Sequence, residues 1–268
     1  MIDGTPTNAS PLERQLVDLI RKTCERPARL APSDLDPLRT LVGDGALDYT
    51  LSIGMFHFIN RIADLLGLGS QVLPKALRRF ELLRRLGVRL AAIVLARMDL
   101  ANREYRFSYE QALDDLAPVF EQATGRRLTD EVAALRPRPK LIEALRLMIE
   151  ERHTRSTLRR ETLATVHRVV EEALPASCDE TEGFHARPTD PIETFAFIGT
   201  RYAHRTTRRM VEALRSQGYD DLGILDLATA VADANNWART HRLLGLAPEL
   251  FYLHLDRGGG SRRGDPSP

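Results

Sequence analysis

The sequence predicts an all-α protein, and three observations lead there. Apolar residues recur at three- and four-residue spacing almost throughout, alternating runs of the β type are scarce, and Gly, Pro and short polar stretches fall where helices would stop. With 268 residues, 43% hydrophobic and 28% charged, the chain has the balance of a globular protein able to bury a real core.

Each element follows from its own text. "SPLERQLVDLIRKTCERP" opens on a Ser-Pro helix start, sets Leu12, Leu16, Leu19 and Ile20 on one stripe, and stops near Pro27. "SDLDPLRTLV" reads as a short helix or turn closed by "GDG". A long helix is expected from about 47 to 66, with Gly67 as its C-terminal stop. "LPKALRRFELLRRLGVRLAAIVLARMDLANREYRF" gives one or two helices with an interruption at Gly87. "SYEQALDDLAPVFEQATG" and "TDEVAAL" continue the helical text until "RPRP" at 136–139 breaks it. A further helix spans about 140–174, whole or broken near "HTRST". "PASCDETEGFHARPTDP" has the composition of a linker, helices resume over 192–246 with a turn at "SQGYDD", and "RGGGSRRGDPSP" is a tail without structure.

The chain also resembles itself. "PLE", "LR" at 38–39, "LD" at 47–48, Arg61 and "LLGL" at 65–68 recur as "PIE", "LR" at 214–215, "LD" at 225–226, Arg239 and "LLGL" at 243–246. From "LD" to "LLGL" the offset is 178 without a gap. The expected organisation is therefore a disordered start (1–10), a first helical unit (11–73), a helical middle segment (74–175), a linker (176–190), a second related unit (191–255) and a disordered tail (256–268).

Composition narrows the function. A formal charge of +1 supplies no global attraction to nucleic acid or to a membrane surface, so neither is an expected partner. Pairs such as Arg84-Arg85, Arg126-Arg127 and Arg159-Arg160 read as solvated helix faces. No apolar run reaches the roughly 18 residues that cross a bilayer, and the opening residues lack a signal peptide's pattern, so a cytoplasmic location is expected. Cys24 and Cys178 stand far apart, which gives no disulfide framework, zinc cluster or Cys-x-x-Cys pair. No HxxxH, HxH or HExxH pattern is present, and no metal or cofactor is expected.

The candidate site is a polar stripe in an apolar helix. In "FHFINRIADLLGL", His57, Asn60, Arg61 and Asp64 share one face. Read as a site, Arg61 anchors an anion such as a carboxylate and His57 moves a proton near neutral pH, with Asn60 and Asp64 orienting them. Read as structure, Arg61 pairs with Asp64, Asn60 caps a neighbouring helix and His57 is a satisfied core histidine. The second unit offers Asp233, Asn235, Asn236, Trp237 and Arg239 on its matching helix. The sole tryptophan is either a stacking wall for a planar ligand or part of the core. Tyr202 and His204 are weaker acid/base candidates, and Glu193 fits a helix start.

"PLERQLVDLIRKTCERPARLAPSDLDPLR" followed by "GALDYTLSIGMFHFINRIADLLGL" resembles the C-terminal half of alkylhydroperoxidase-D-like, peroxidase-related proteins of the carboxymuconolactone decarboxylase superfamily. The shared pattern, of the type F-N-x-x-N-R-x-A-D-x-L-G, is carried by Phe56, His57, Asn60, Arg61, Ala63, Asp64, Leu66 and Gly67, with His57 replacing the first Asn. Ala234, Asn235, Ala238, Arg239, Leu244 and Gly245 repeat it more loosely. The resemblance implies an all-α bundle that assembles into homo-oligomers. Redox members carry Cys-x-x-Cys-x-x-x-His, which is absent here. Its nearest trace is Cys178, Thr181 and His185, which could form a sulfenate but no local disulfide. The glutamate and histidine of decarboxylase members fall on Thr206 and Met210. The implied function is a divergent enzyme doing cysteine-independent lyase, isomerase or cyclase chemistry on a carboxylated or cyclic small molecule, with His57 and Arg61 catalytic and Asn60, Asp64, Asn235, Trp237 and Arg239 binding substrate. The rivals are a non-catalytic ligand-binding or scaffold protein, and a peroxide-related oxidoreductase working through Cys178.

Overall fold

A computed structural model describes residues 8–67, 108–124, 127–128, 130–174 and 188–246. Among them the chain is all-helical, with nine α-helices joined by short 3₁₀ turns and no strand.

The first helix, α1 (Pro11–Glu25), starts as its sequence dictates. The Ser10 hydroxyl accepts the Glu13 N–H at 3.2 Å, the Glu13 carboxylate accepts the Ser10 N–H at 2.7 Å, and Pro11 occupies the first turn, where no amide hydrogen is needed. Two 3₁₀ turns, Pro27–Arg29 and Pro32–Leu35, lead into α2 (Asp36–Val42). Gly43 takes φ +57°, a conformation that costs glycine least, and turns the chain into α3 (Gly45–Leu65). The helix therefore begins about two residues before the apolar pattern suggests.

Helix α4 (Tyr109–Thr124) carries Pro118 within it, and "TDEVAAL" forms a 3₁₀ turn at Asp130–Leu135 rather than further α-helix. The text over 140–174 is divided at "HTRST" into α5 (Pro139–Arg155) and α6 (Arg160–Ala173). The C-terminal text is cut twice. Helix α7 (Pro191–Arg201) is capped by Asp190, which accepts the Ile192 and Glu193 N–H groups at 2.9 and 3.0 Å. It stops at Tyr202, and a 3₁₀ turn at Ala203–Arg205 precedes α8 (Arg208–Ser216), which Thr207 caps. This extra break lies in polar text without Gly or Pro, which is why periodicity misses it. Helix α9 (Asp221–Leu244) is capped by Asp220 and ends on a left-handed Gly245.

Two apolar clusters form the interior. One gathers α1, α2, α3, α4 and α5 around Leu19, Leu38, Ile53, Leu116, Phe120 and Ile142. The other gathers α6, α7, α8 and α9 as far as Ala238 around Val166, Val170, Phe195, Leu214 and Leu227. The last turn of α9 crosses into the first cluster through Leu243 and Leu244. The clusters meet where α3 and α9 pack along each other. That approach is close enough to require glycine: a Cβ on Gly54 would stand 2.3 Å from Asn236 Oδ1 and 2.8 Å from Thr240 Oγ1.

Candidate functional site: a crossed polar brace beside an apolar cleft

The polar residues of α3 and α9 that face inward form a reciprocal network. The last carbonyls of any helix lack intrahelical donors, and a cation there also meets the favourable end of the helix dipole. Arg61 on α3 reaches the end of α7, donating from Nη1 to the carbonyls of Gly199 and Thr200, the latter at 2.9 Å. Arg239 on α9 reaches the end of α1, donating from Nε to the Thr23 carbonyl at 2.9 Å. Each arginine thus closes the helix end presented by the other half of the molecule.

The residues one turn earlier behave alike. Thr23 Oγ1 donates to the Ile20 carbonyl at 2.8 Å, so its oxygen accepts from His57 Nε2 at 2.9 Å. Thr200 Oγ1 donates to the Ala196 carbonyl at 2.8 Å and accepts from Asn235 Nδ2 at 3.0 Å. His57 and Asn235, like Arg61 and Arg239, stand 178 positions apart. Asn235 also donates to the Val231 carbonyl at 2.9 Å, and its own carbonyl and Oδ1 take Arg239 Nη1 at 2.7 and 3.1 Å.

Electrostatics follow from burial. Burial pushes the His57 imidazole well below its usual 6.5, to about 3, and the charges of Arg239 and Arg61 push the same way. A proton on His57 would be a third positive charge beside two guanidinium groups. Burial also lowers Arg61 to about 10, partly opposed by Asp64 and Cys24. Its Nε is buried without a hydrogen-bond partner among the described residues. His57 is therefore a neutral donor held to Thr23 across the physiological range. Arg239 is 3% exposed, and both arginines already donate to protein carbonyls.

The candidate residues do not converge on one point. His57, Arg61, Asn235 and Arg239 meet in the brace. Asn60 and Asp64 are exposed on α3, and Asp64 reaches Arg61 only through its charge. Trp237 lies in a cleft of about 300 Å³ between α3, α5 and α9. Cys178, Thr181 and His185 lie outside the described residues, and so do the tail and the whole of 68–107. Glu193, expected at a helix start, lies in the first turn of α7 and pairs with Arg168.

Two features have no local signature. One is the far wall of the cleft, where Leu141, Ala144, Leu145 and Met148 of α5 face Met55, Phe58 and Trp237 across a long separation in sequence. The other is an ion cluster in which Glu171 of α6 accepts from Arg242 and lies 3.3 Å from His241 Nε2. Among the described residues no group of three or more His, Cys, Asp or Glu could hold a metal ion, and no helix is long and apolar enough to cross a membrane. No family model, curated protein or solved structure matches this chain.

Proposed function

We propose that the protein binds a small molecule without transforming it, and that the ligand occupies the cleft between α3, α5 and α9. The observation that carries this reading is the composition of that cleft. About 300 Å³ of space is walled mainly by Leu, Met and Phe side chains, with polar groups confined to the α9 side at Asp233, Asn236 and Trp237. A mostly apolar recess with a few convergent polar groups is the usual form of a small-molecule site. Met55 and Met148 add walls that adapt to ligand shape.

The brace supports the non-catalytic half of the proposal. An acid/base pair made of His57 and Arg61 would have to abandon Thr23 and the α7 carbonyls to meet a substrate. Protonating His57 would place a third cation beside Arg61 and Arg239. The resemblance to the carboxymuconolactone decarboxylase superfamily enters as a proposal about the scaffold, a helical bundle that holds ligands without the dithiol chemistry.

Trp237 is the chain's one tryptophan and lies in the cleft, so its emission reports occupancy. Titration with n-octanol should change that emission saturably and raise the melting temperature, because a ligand bound only by the native state stabilises it. Ala144→Phe, which fills the mouth of the cleft from an exposed position on α5, should weaken the response about tenfold or more, a loss of about 1.4 kcal/mol of binding free energy. A wild-type protein whose emission does not respond saturably overturns the proposal.

A further inference from the structure

A net charge close to zero hides a local excess. From Thr194 to Val211 the chain carries four arginines, one histidine and no acidic residue, although 38 Lys and Arg stand against 37 Asp and Glu over the whole sequence. The fold keeps these bases together. Arg201 ends α7, His204 and Arg205 lie in the 3₁₀ turn, and Arg208 and Arg209 open α8, with α3 and α7 both packed against the turn.

Little of that charge is spent inside the protein. On the elements around the stretch, Asp64 acts on Arg61, Glu193 pairs with Arg168, and Glu212 is shared between Arg208 at 3.6 Å and Arg215 at 3.0 Å. Arg201, His204, Arg205 and Arg209 have no carboxylate partner among the described residues. Arg205 lies over the Tyr202 ring, 4.7 Å from its centre, and the Nε of Arg201 is buried without a hydrogen-bond partner among the described residues. His204, Arg205, Arg208 and Arg209 are exposed. Helix formation does not account for Arg208 and Arg209: the first turn of α8 holds no acid, and cations there oppose the helix dipole, which favours an anion.

The chemistry selects among polyanions. Guanidinium forks match phosphate oxygens two at a time, and several arginines along one stretch suit a ligand of repeated charge better than one small anion. An anionic membrane fits less well, because no exposed large apolar side chain falls between 201 and 209 to enter the lipid. Unpaired bases fit less well too, since the one aromatic ring of the stretch already carries Arg205. We propose that this surface contacts the phosphate backbone of duplex nucleic acid, through Arg201, Arg205, Arg208 and Arg209, without reading its sequence.

Fluorescence anisotropy of a short labelled duplex, titrated with the full-length protein, tests the proposal. Four phosphate contacts predict a loss of affinity of about a hundredfold between about 50 and 200 mM salt, alike for unrelated duplex sequences. Arg205→Gln with Arg209→Gln, both at exposed positions, should weaken binding about tenfold or more and lower the slope of log affinity against log salt by about two. Phenylglyoxal labelling of the wild-type protein, mapped by mass spectrometry, reads the same contacts without a variant, and the duplex should protect Arg205 and Arg209. Absence of binding at low salt, or a double variant that binds as wild type does, overturns the proposal. Binding that leaves both arginines open to the reagent overturns it as well. Poly-glutamate or phosphatidylserine vesicles that bind more tightly than the duplex, with the same loss in the variant, would reassign the surface to an acidic protein or a lipid and overturn the choice of nucleic acid.

Discussion

Replacing Arg239 with methionine tests whether the polar brace stabilises the join between the two halves. Methionine keeps much of the stem's volume, so the change removes hydrogen bonds with little cavity. The guanidinium donates to the Thr23 carbonyl, the Asn235 carbonyl and Asn235 Oδ1, and it is 3% exposed, so water does not replace it freely. A hydrogen bond from a charged donor contributes about 1.5–3 kcal/mol, and a buried acceptor left unmade costs about 1–3 kcal/mol. Against this, the variant no longer buries a cation, and that desolvation amounts to several kcal/mol. The balance is a net loss of about 2–4 kcal/mol, or about 5–12 °C in melting temperature for a chain of this size. Urea unfolding followed by far-ultraviolet circular dichroism measures it as a lower midpoint at constant slope. Arg61→Met should lose a comparable amount through the α7 carbonyls. An Arg239→Met protein as stable as wild type, or more stable, would refute the reasoning, since it would mean that burying the charge costs as much as its hydrogen bonds return.

The remaining predictions concern the same join. His57 is lowered from 6.5 to about 3, so the unfolded chain binds the additional proton between those values; the stability supplied by neutral His57 is complete above about pH 6.5 and is lost as pH falls toward 3. Between pH 6.5 and 4.5 this amounts to about 2–3 kcal/mol, and His57→Asn, which installs the side chain used at position 235, should flatten that slope in urea unfolding at a series of pH values; an unchanged slope would assign the acid sensitivity to other groups. Gly54→Ala places a methyl 2.3 Å from Asn236 Oδ1 and 2.8 Å from Thr240 Oγ1, so α3 and α9 must separate or Asn236 must swing away. The expected cost is about 1–3 kcal/mol, partly recovered by adding Asn236→Ala, and a Gly54→Ala protein with wild-type melting behaviour would contradict the close approach.

The helices and their ends are legible in the sequence because they are local events. Ser10 and Glu13, Asp190 and Asp220, and Gly43, Gly67 and Gly245 act on backbone groups within a few residues, and the three- and four-residue spacing of Leu, Ile and Val settles which faces turn inward. The same locality explains the misses. The break at 202–207 depends on a cap by Thr207 in text without Gly or Pro, and the 3₁₀ turn at Asp130–Leu135 has the composition of α-helix.

The stripe at His57 and Arg61 is visible in the sequence as an anomaly, four polar residues on a helix otherwise built for burial, but its partners are not. Arg61 meets carbonyls 138 and 139 positions away and Arg239 meets one 216 positions away. A backbone carbonyl has no residue identity by which a pattern could announce it. The cleft is further from view, because it exists only once α5 lies against α3 and α9. By itself the sequence determined the helices, their caps and the presence of unusual polar groups, since these depend on neighbours along the chain. Only the tertiary structure decided that His57 and Arg61 face protein carbonyls and hydroxyls while Trp237 lies against the cleft between α3, α5 and α9, since that depends on which elements the apolar surfaces bring together.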